Sequence, residues 1–192
     1  VSKYQTACGS SDILSHIFEN YFNQDESMYM LDRMMESLMK TVIKYGPIAV
    51  KDPNNYEARA NLMWASSWAI NGFVSSSSKS QWTVHPIEHE LSAFYDITHG
   101  LGLAILTPRW MEYVLNETTA HKFYDLGVNV FDIDKNLDQM EVAKKAIEKV
   151  KEFFFETLGL DSNLKKINID DEIEIKELKN DFIELSNMGS IR

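Results

Sequence analysis

HPIEHELSAFYDITHGLGLAILTPRWM, residues 85–111, places three of the chain's five histidines, His85, His89 and His99, inside fifteen residues. His85 and His89 stand about one helical turn apart. Pro86 suits the first turn of a helix, where its missing N–H has no intrahelical partner to lose. The pattern predicts a short helix over 86–96, a break at Ile97–Thr98, and a second helix over 99–116 kinked by Pro108. His99 follows the break and can fold back towards the start of the first helix. Imidazole nitrogens with one carboxylate suit a borderline divalent ion such as Fe(II) or Zn(II). They do not suit Ca(II), which wants more oxygen ligands.

Working outward, helical periodicity dominates and strand-like alternation is scarce. A helix is expected over 10–23, with Ser10 or Ser11 as N-cap. Met and Leu recur at helical spacing over 27–45, and Gly46–Pro47 is the expected stop. Asp52–Pro53 reads as a cap followed by proline at the first helical position, opening a helix to about Gly72. Trp64 and Trp68, four apart on it, are expected in the core. Ser75 to Ser78 reads as a loop. Over 138–158, Val142, Ala146, Val150, Phe154 and Leu158 form one stripe, and Gly159 is a C-terminal stop. A weaker helix is expected over 172–187. No internal repeat or linker interrupts the chain. The fold class is therefore all-α, a helical bundle or array forming one domain over residues 1–192.

Upstream, Asp12 and His16 lie about 40° apart around a helix, so a carboxylate oxygen and an imidazole nitrogen can meet at one ion. An ordinary amphipathic helix looks the same. Ile13, Leu14, Ile17, Phe18, Tyr21 and Phe22 make its apolar arc, and Asp12, His16, Glu19 and Asn20 would face water. His121 belongs to no motif and reads as an ordinary surface or core residue.

Composition excludes several classes. The 192 residues are 44% hydrophobic and carry a formal net charge of -10, so no general electrostatic field draws the chain to nucleic acid. Much of the surplus lies late, in Asp161, Asp170, Asp171, Glu172, Glu174, Glu177, Asp181 and Glu184, and reads as a solvated helix face. No apolar run approaches a membrane span. The single cysteine, Cys8, and the lack of a basic-then-apolar leader fit a cytoplasmic setting. There is no GxGxxG element and no P-loop to cradle a pyrophosphate.

His85, Glu88 and His89 have the H-x-x-E-H spacing of an inverzincin zinc metalloprotease. In that reading both histidines hold zinc and Glu88 activates water, with Glu172 or Glu174 as a third ligand. It leaves His99, Asp12 and His16 without roles. The longer stretch, residues 85–100 continued by LGLAILTPRWM, resembles the signature of the iron-containing alcohol dehydrogenase family, in its butanol dehydrogenase branch. SDILSHIFENYF at residues 11–22 extends the resemblance, and matching stretches span most of residues 5–160 in the same order and spacing.

That resemblance implies the helical C-terminal domain of the dehydroquinate synthase-like fold. It implies a metal, Fe(II) or Zn(II), held by Asp12, His16, His85 and His99. His89 becomes the catalytic and cofactor-facing residue, near the nicotinamide and substrate and a candidate in proton relay. The implied reaction interconverts small primary alcohols and aldehydes with NAD(P)H, without nucleic-acid or membrane partners, and leaves room for a homodimer. Family members also carry an N-terminal α/β domain that binds NAD(P)H. The chain resembles only the helical one, so the isolated chain is expected to be inactive as a dehydrogenase. A non-catalytic helical remnant is the third reading.

Overall fold

The structure, a computed structural model, describes residues 1–22, 28–76, 82–167 and 169. The expected helix over 172–187, the acidic residues from Asp170 to Glu184, and Ser77 and Ser78 of the serine loop lie outside the described residues. Among the described residues all regular structure is helical.

Helix α1 runs Lys3–Tyr21, longer at its start than the sequence pattern indicates, because Ser2 caps it by accepting from the Gln5 N–H at 3.1 Å. It packs against α2 (Tyr29–Lys51), α3 (Tyr56–Ile70) and α5 (His99–Val114). With neighbours on several sides, α1 has no simple water-facing arc. Ile17, Phe18 and Tyr21 are fully buried, and so are Glu19 and Asn20, which the amphipathic reading placed in water. The Asn20 amide donates to the His16 carbonyl at 2.7 Å.

Small residues bring these helices close. Ser11 Oγ donates to the Gly100 carbonyl at 2.6 Å, and Ser15 shares a 2.9 Å hydrogen bond with Thr107. A Cβ on Gly100 would collide with the Cys8 backbone carbonyl, so only glycine permits this crossing of α1 and α5. Between α1 and α2, a Cβ on Gly46 would meet Ser10 Oγ at 3.2 Å. That packing explains why α2 does not stop at Gly46–Pro47 as expected. Gly46 and Ala49 are buried, and their contacts carry the helix through Pro47 to Lys51 despite the lost hydrogen bond.

Helix α3 also differs from expectation at its start. Asn55 is the cap, accepting from the Ala58 N–H at 3.0 Å, while Asp52 closes a turn with the Asn54 N–H at 3.1 Å. Trp64 is not core: it is 66% exposed and meets Trp68 edge-to-face, at 5.9 Å between ring centroids. An aromatic pair at i and i+4 can satisfy itself on an open surface.

Helix α4 spans Val84–Tyr95 and ends at Asp96 in a left-handed conformation. It packs on α5, whose mid-helix Pro108 is buried. Helix α6, Ala120–Phe131, has no counterpart in the sequence expectations. Its β-branched residues and Gly127 weaken the local signal, and it is held by tertiary contact with α7 (Gln139–Lys151). The expected 138–158 helix is capped by Asp138 but widens into a π-helical turn over Glu152–Thr157 before Gly159, whose φ of 72° closes it. Its apolar stripe, Val142, Ala146, Val150, Phe154 and Leu158, is buried as expected.

Candidate metal centre

Three elements meet at one point. The middle of α1 carries Asp12 and His16, the first turn of α4 carries His85, and His99 is the first residue of α5. Asp12 Oδ1 lies 3.3 Å from His16 Nε2, 3.6 Å from His85 Nε2 and 3.9 Å from His99 Nε2. One carboxylate oxygen thus faces three imidazole nitrogens. Bonds of about 2.0–2.1 Å to a tetrahedral ion place neighbouring ligand atoms about 3.4 Å apart. Asp12, His16 and His85 offer atoms within 4.8 Å of one another, whereas His99 shares such a group with Glu88 and His89 and meets the first group at Asp12. Asp12 Oδ1 and His85 Nε2 are buried with no hydrogen-bond partner among the described residues. Such orphaned groups are costly unless something else satisfies them.

The electrostatics agree with the geometry. Burial alone would raise the Asp12 carboxyl, but contacts with His16 and His85 and the charges of His16 and His99 hold it well below the usual carboxylate range. Burial would lower His85, yet the carboxylates of Asp12 and Glu19 beside it push it up to about 9 in the metal-free protein.

Behind the cluster stand two buried carboxylates to which the sequence assigned other roles. Glu19 Oε2 lies 2.5 Å from His85 Nδ1. Its Oε1 accepts from the Thr83 N–H at 2.6 Å, the His85 N–H at 3.2 Å, and the Val84 N–H. Glu88 Oε2 contacts His99 Nδ1, and Ser92 Oγ donates to its Oε1. The Glu19 and Glu88 side chains are 2% and 0% exposed. Buried and engaged in this way, Glu88 is not presented to a water molecule as the protease reading requires. A signal for Glu19 existed: positions 12, 16 and 19 share one helical face.

His89 stands at the rim, exposed, its ring centroid 5.3 Å from that of His99 and 6.3 Å from that of His85. Trp82 sets its edge against His16 and His85, at 5.1 Å and 5.0 Å. His121 lies apart on α6 and bonds the Thr118 carbonyl through Nδ1 at 2.8 Å. The Cys8 thiol is buried and pushed up by that burial, which makes it a poor nucleophile or ligand.

Residues 6–181 match the Fe-containing alcohol dehydrogenase family, C-terminal. The chain belongs to the iron-containing alcohol dehydrogenase family. It is 55% identical over 168 residues to NADH-dependent butanol dehydrogenase B of Clostridium acetobutylicum, covering 88% of this chain and 43% of that one. NADH-dependent butanol dehydrogenase A of the same organism is 54% identical over 176 residues, covering 91% of this chain and 45% of that one. Among solved structures, the aldehyde reductase YqhD from E. coli superposes with a TM-score of 0.88 at 30% identity, covering 99% of this chain and 48% of that one. The chain therefore spans less than half the length of these relatives, and the likeness to the solved structure takes in the seven α-helices of the described residues.

Proposed function

We infer that Asp12, His16, His85 and His99 hold one divalent ion, Fe(II) or Zn(II), in the metal-binding half of an NAD(P)H-dependent alcohol–aldehyde oxidoreductase for small primary alcohols of the butanol type. The observation that carries this reading is the convergence of three Nε2 atoms on Asp12 Oδ1. When bound, the ion supplies Lewis-acid polarisation of an alcohol or carbonyl oxygen. The protein's part is to hold three neutral donors and one carboxylate in place, with Trp82 walling one side against water. His89, exposed beside His99, is placed to take the hydroxyl proton from the alcohol or return it to the product. Hydride chemistry belongs to the nicotinamide. The two butanol dehydrogenases at 54–55% identity favour the butanol-type substrate.

The test is calorimetry of the 192-residue chain with Zn(II) and, anaerobically, Fe(II), beside Asp12→Ala and His99→Ala. Both substitutions are expected to weaken binding at least about tenfold, the scale on which metal sites respond even to outer partners. Unchanged affinity in both would remove the site.

A further inference from the structure

Imidazole binds a cation only through a nitrogen without a proton, and a neutral ring keeps its one proton on the nitrogen that meets an acceptor. Building on the reading of Asp12, His16, His85 and His99 as one metal centre, we propose that Glu19 and Glu88 are positioning residues that fix the tautomers of His85 and His99. They hold each proton on Nδ1 and leave Nε2 bare towards Asp12.

Two carboxylates on different helices make the same contact. Glu19 reaches from α1 to His85 Nδ1, and Glu88 reaches from α4 to His99 Nδ1. Ionised carboxylates only accept, so each ring must present N–H at Nδ1. Glu19 does a second thing. Thr83 gives α4 no side-chain cap, and Glu19 Oε1 takes the N–H groups of Thr83, Val84 and His85 in its place. One side chain thus pins the start of α4 to the helix that carries Asp12 and His16, and orients the ring α4 brings. Glu88 has space made for it: a Cβ on Gly102 would collide with its side chain. His16 supplies the contrast, because its Nδ1 is buried without a hydrogen-bond partner among the described residues.

Glutamine separates positioning from structural support. In Glu19→Gln the amide oxygen remains with the three backbone N–H groups, and the amide NH₂ then faces His85 Nδ1. The ring must accept there, which moves its proton to Nε2 and blocks the metal. The expected result is an unfolding midpoint close to that of the parent chain and Zn(II) affinity lower by about 10- to 100-fold. Long-range proton–nitrogen NMR of the metal-free chain, at alkaline pH where His85 is neutral, should show Nδ1–H in the parent and Nε2–H in the variant. Glu19→Ala should lower the unfolding midpoint as well, through the lost cap. Glu88→Gln and Gly102→Ala repeat the affinity and tautomer measurements at His99 without touching the α4 cap. Parent-like zinc affinity in both glutamine variants, or Nε2–H on His85 and His99 in the parent, overturns the proposal. A parent chain that binds no zinc overturns the metal reading instead, and the NMR result then decides the tautomer assignment by itself.

Discussion

At the scale of single residues, His85 ties the site to pH. In the metal-free protein it is raised from 6.5 to about 9 by its carboxylate neighbours. A raised folded-state value means that its contribution to stability is fully present below 6.5 and is lost as pH rises through about 9. Metal binding runs the other way, because the ion needs the neutral ring. Zn(II) affinity is therefore expected to climb with pH between 6.5 and about 9, with a proton released for each ion bound. Calorimetry in buffers of different ionisation enthalpy counts that proton. A flat profile across the window would show that His85 does not exchange a proton for metal. The clustering of His85, His89 and His99 was legible from their spacing, but the four-ligand set was legible only through the family resemblance, since Asp12 and His16 alone fit any amphipathic helix. The shared face of positions 12, 16 and 19 was legible for Glu19, but its burial was not, because the carboxylate of a buried helper and that of a solvated residue have the same letter and the same spacing.

Elements show how the ligands are brought together. Gly100 lets α5 begin against the Cys8 carbonyl, which sets His99 beside Asp12. Gly100→Ala is expected to cost about 1–3 kcal/mol, the usual scale of overpacking, and to weaken Zn(II) binding although no ligand changes. Urea unfolding and zinc titration read the two effects separately. Farther from the site, Lys122 on α6 makes a 2.5 Å ion pair with Asp32 on α2 and lies over the Tyr21 ring at 4.9 Å. Glu36, on the same helix as Asp32, accepts from Tyr21 and Arg33 at 2.6 Å each and from Asn129 at 3.1 Å. Lys122→Ala leaves Asp32 buried without its cation and is expected to destabilise the fold by about 3–5 kcal/mol. Asp32→Leu combined with Lys122→Met should recover most of that loss in the same unfolding assay.

For the molecule as a whole, the proposed metal site is flanked by His89 and Trp82, both exposed among the described residues, and no Gly-rich nucleotide motif lies anywhere in the 192 residues. The purified chain is expected to show no NADPH-dependent reduction of butanal even when loaded with metal. A spectrophotometric assay of NADPH oxidation checks this, and measurable turnover would show that a nicotinamide site is built from these helices alone. No helix of the described residues is long and apolar enough to cross a membrane.

The sequence by itself determined the all-helical character, through apolar residues at a period near 3.6, and most helix ends, through residues such as Asp138 and Gly159 whose capping chemistry is local. It also carried the four candidate ligands in order. Only the tertiary structure decided which helices run on and which faces lie inside. Gly46 and Ala49 hold α2 through Pro47, α6 forms against α7, Trp64 stays at the surface, and Glu19 is buried beneath α4. Periodicity fixes the angle at which a side chain leaves its helix. What covers that side chain depends on elements distant in sequence, and at this site the cover on Glu19 is three backbone N–H groups and one imidazole.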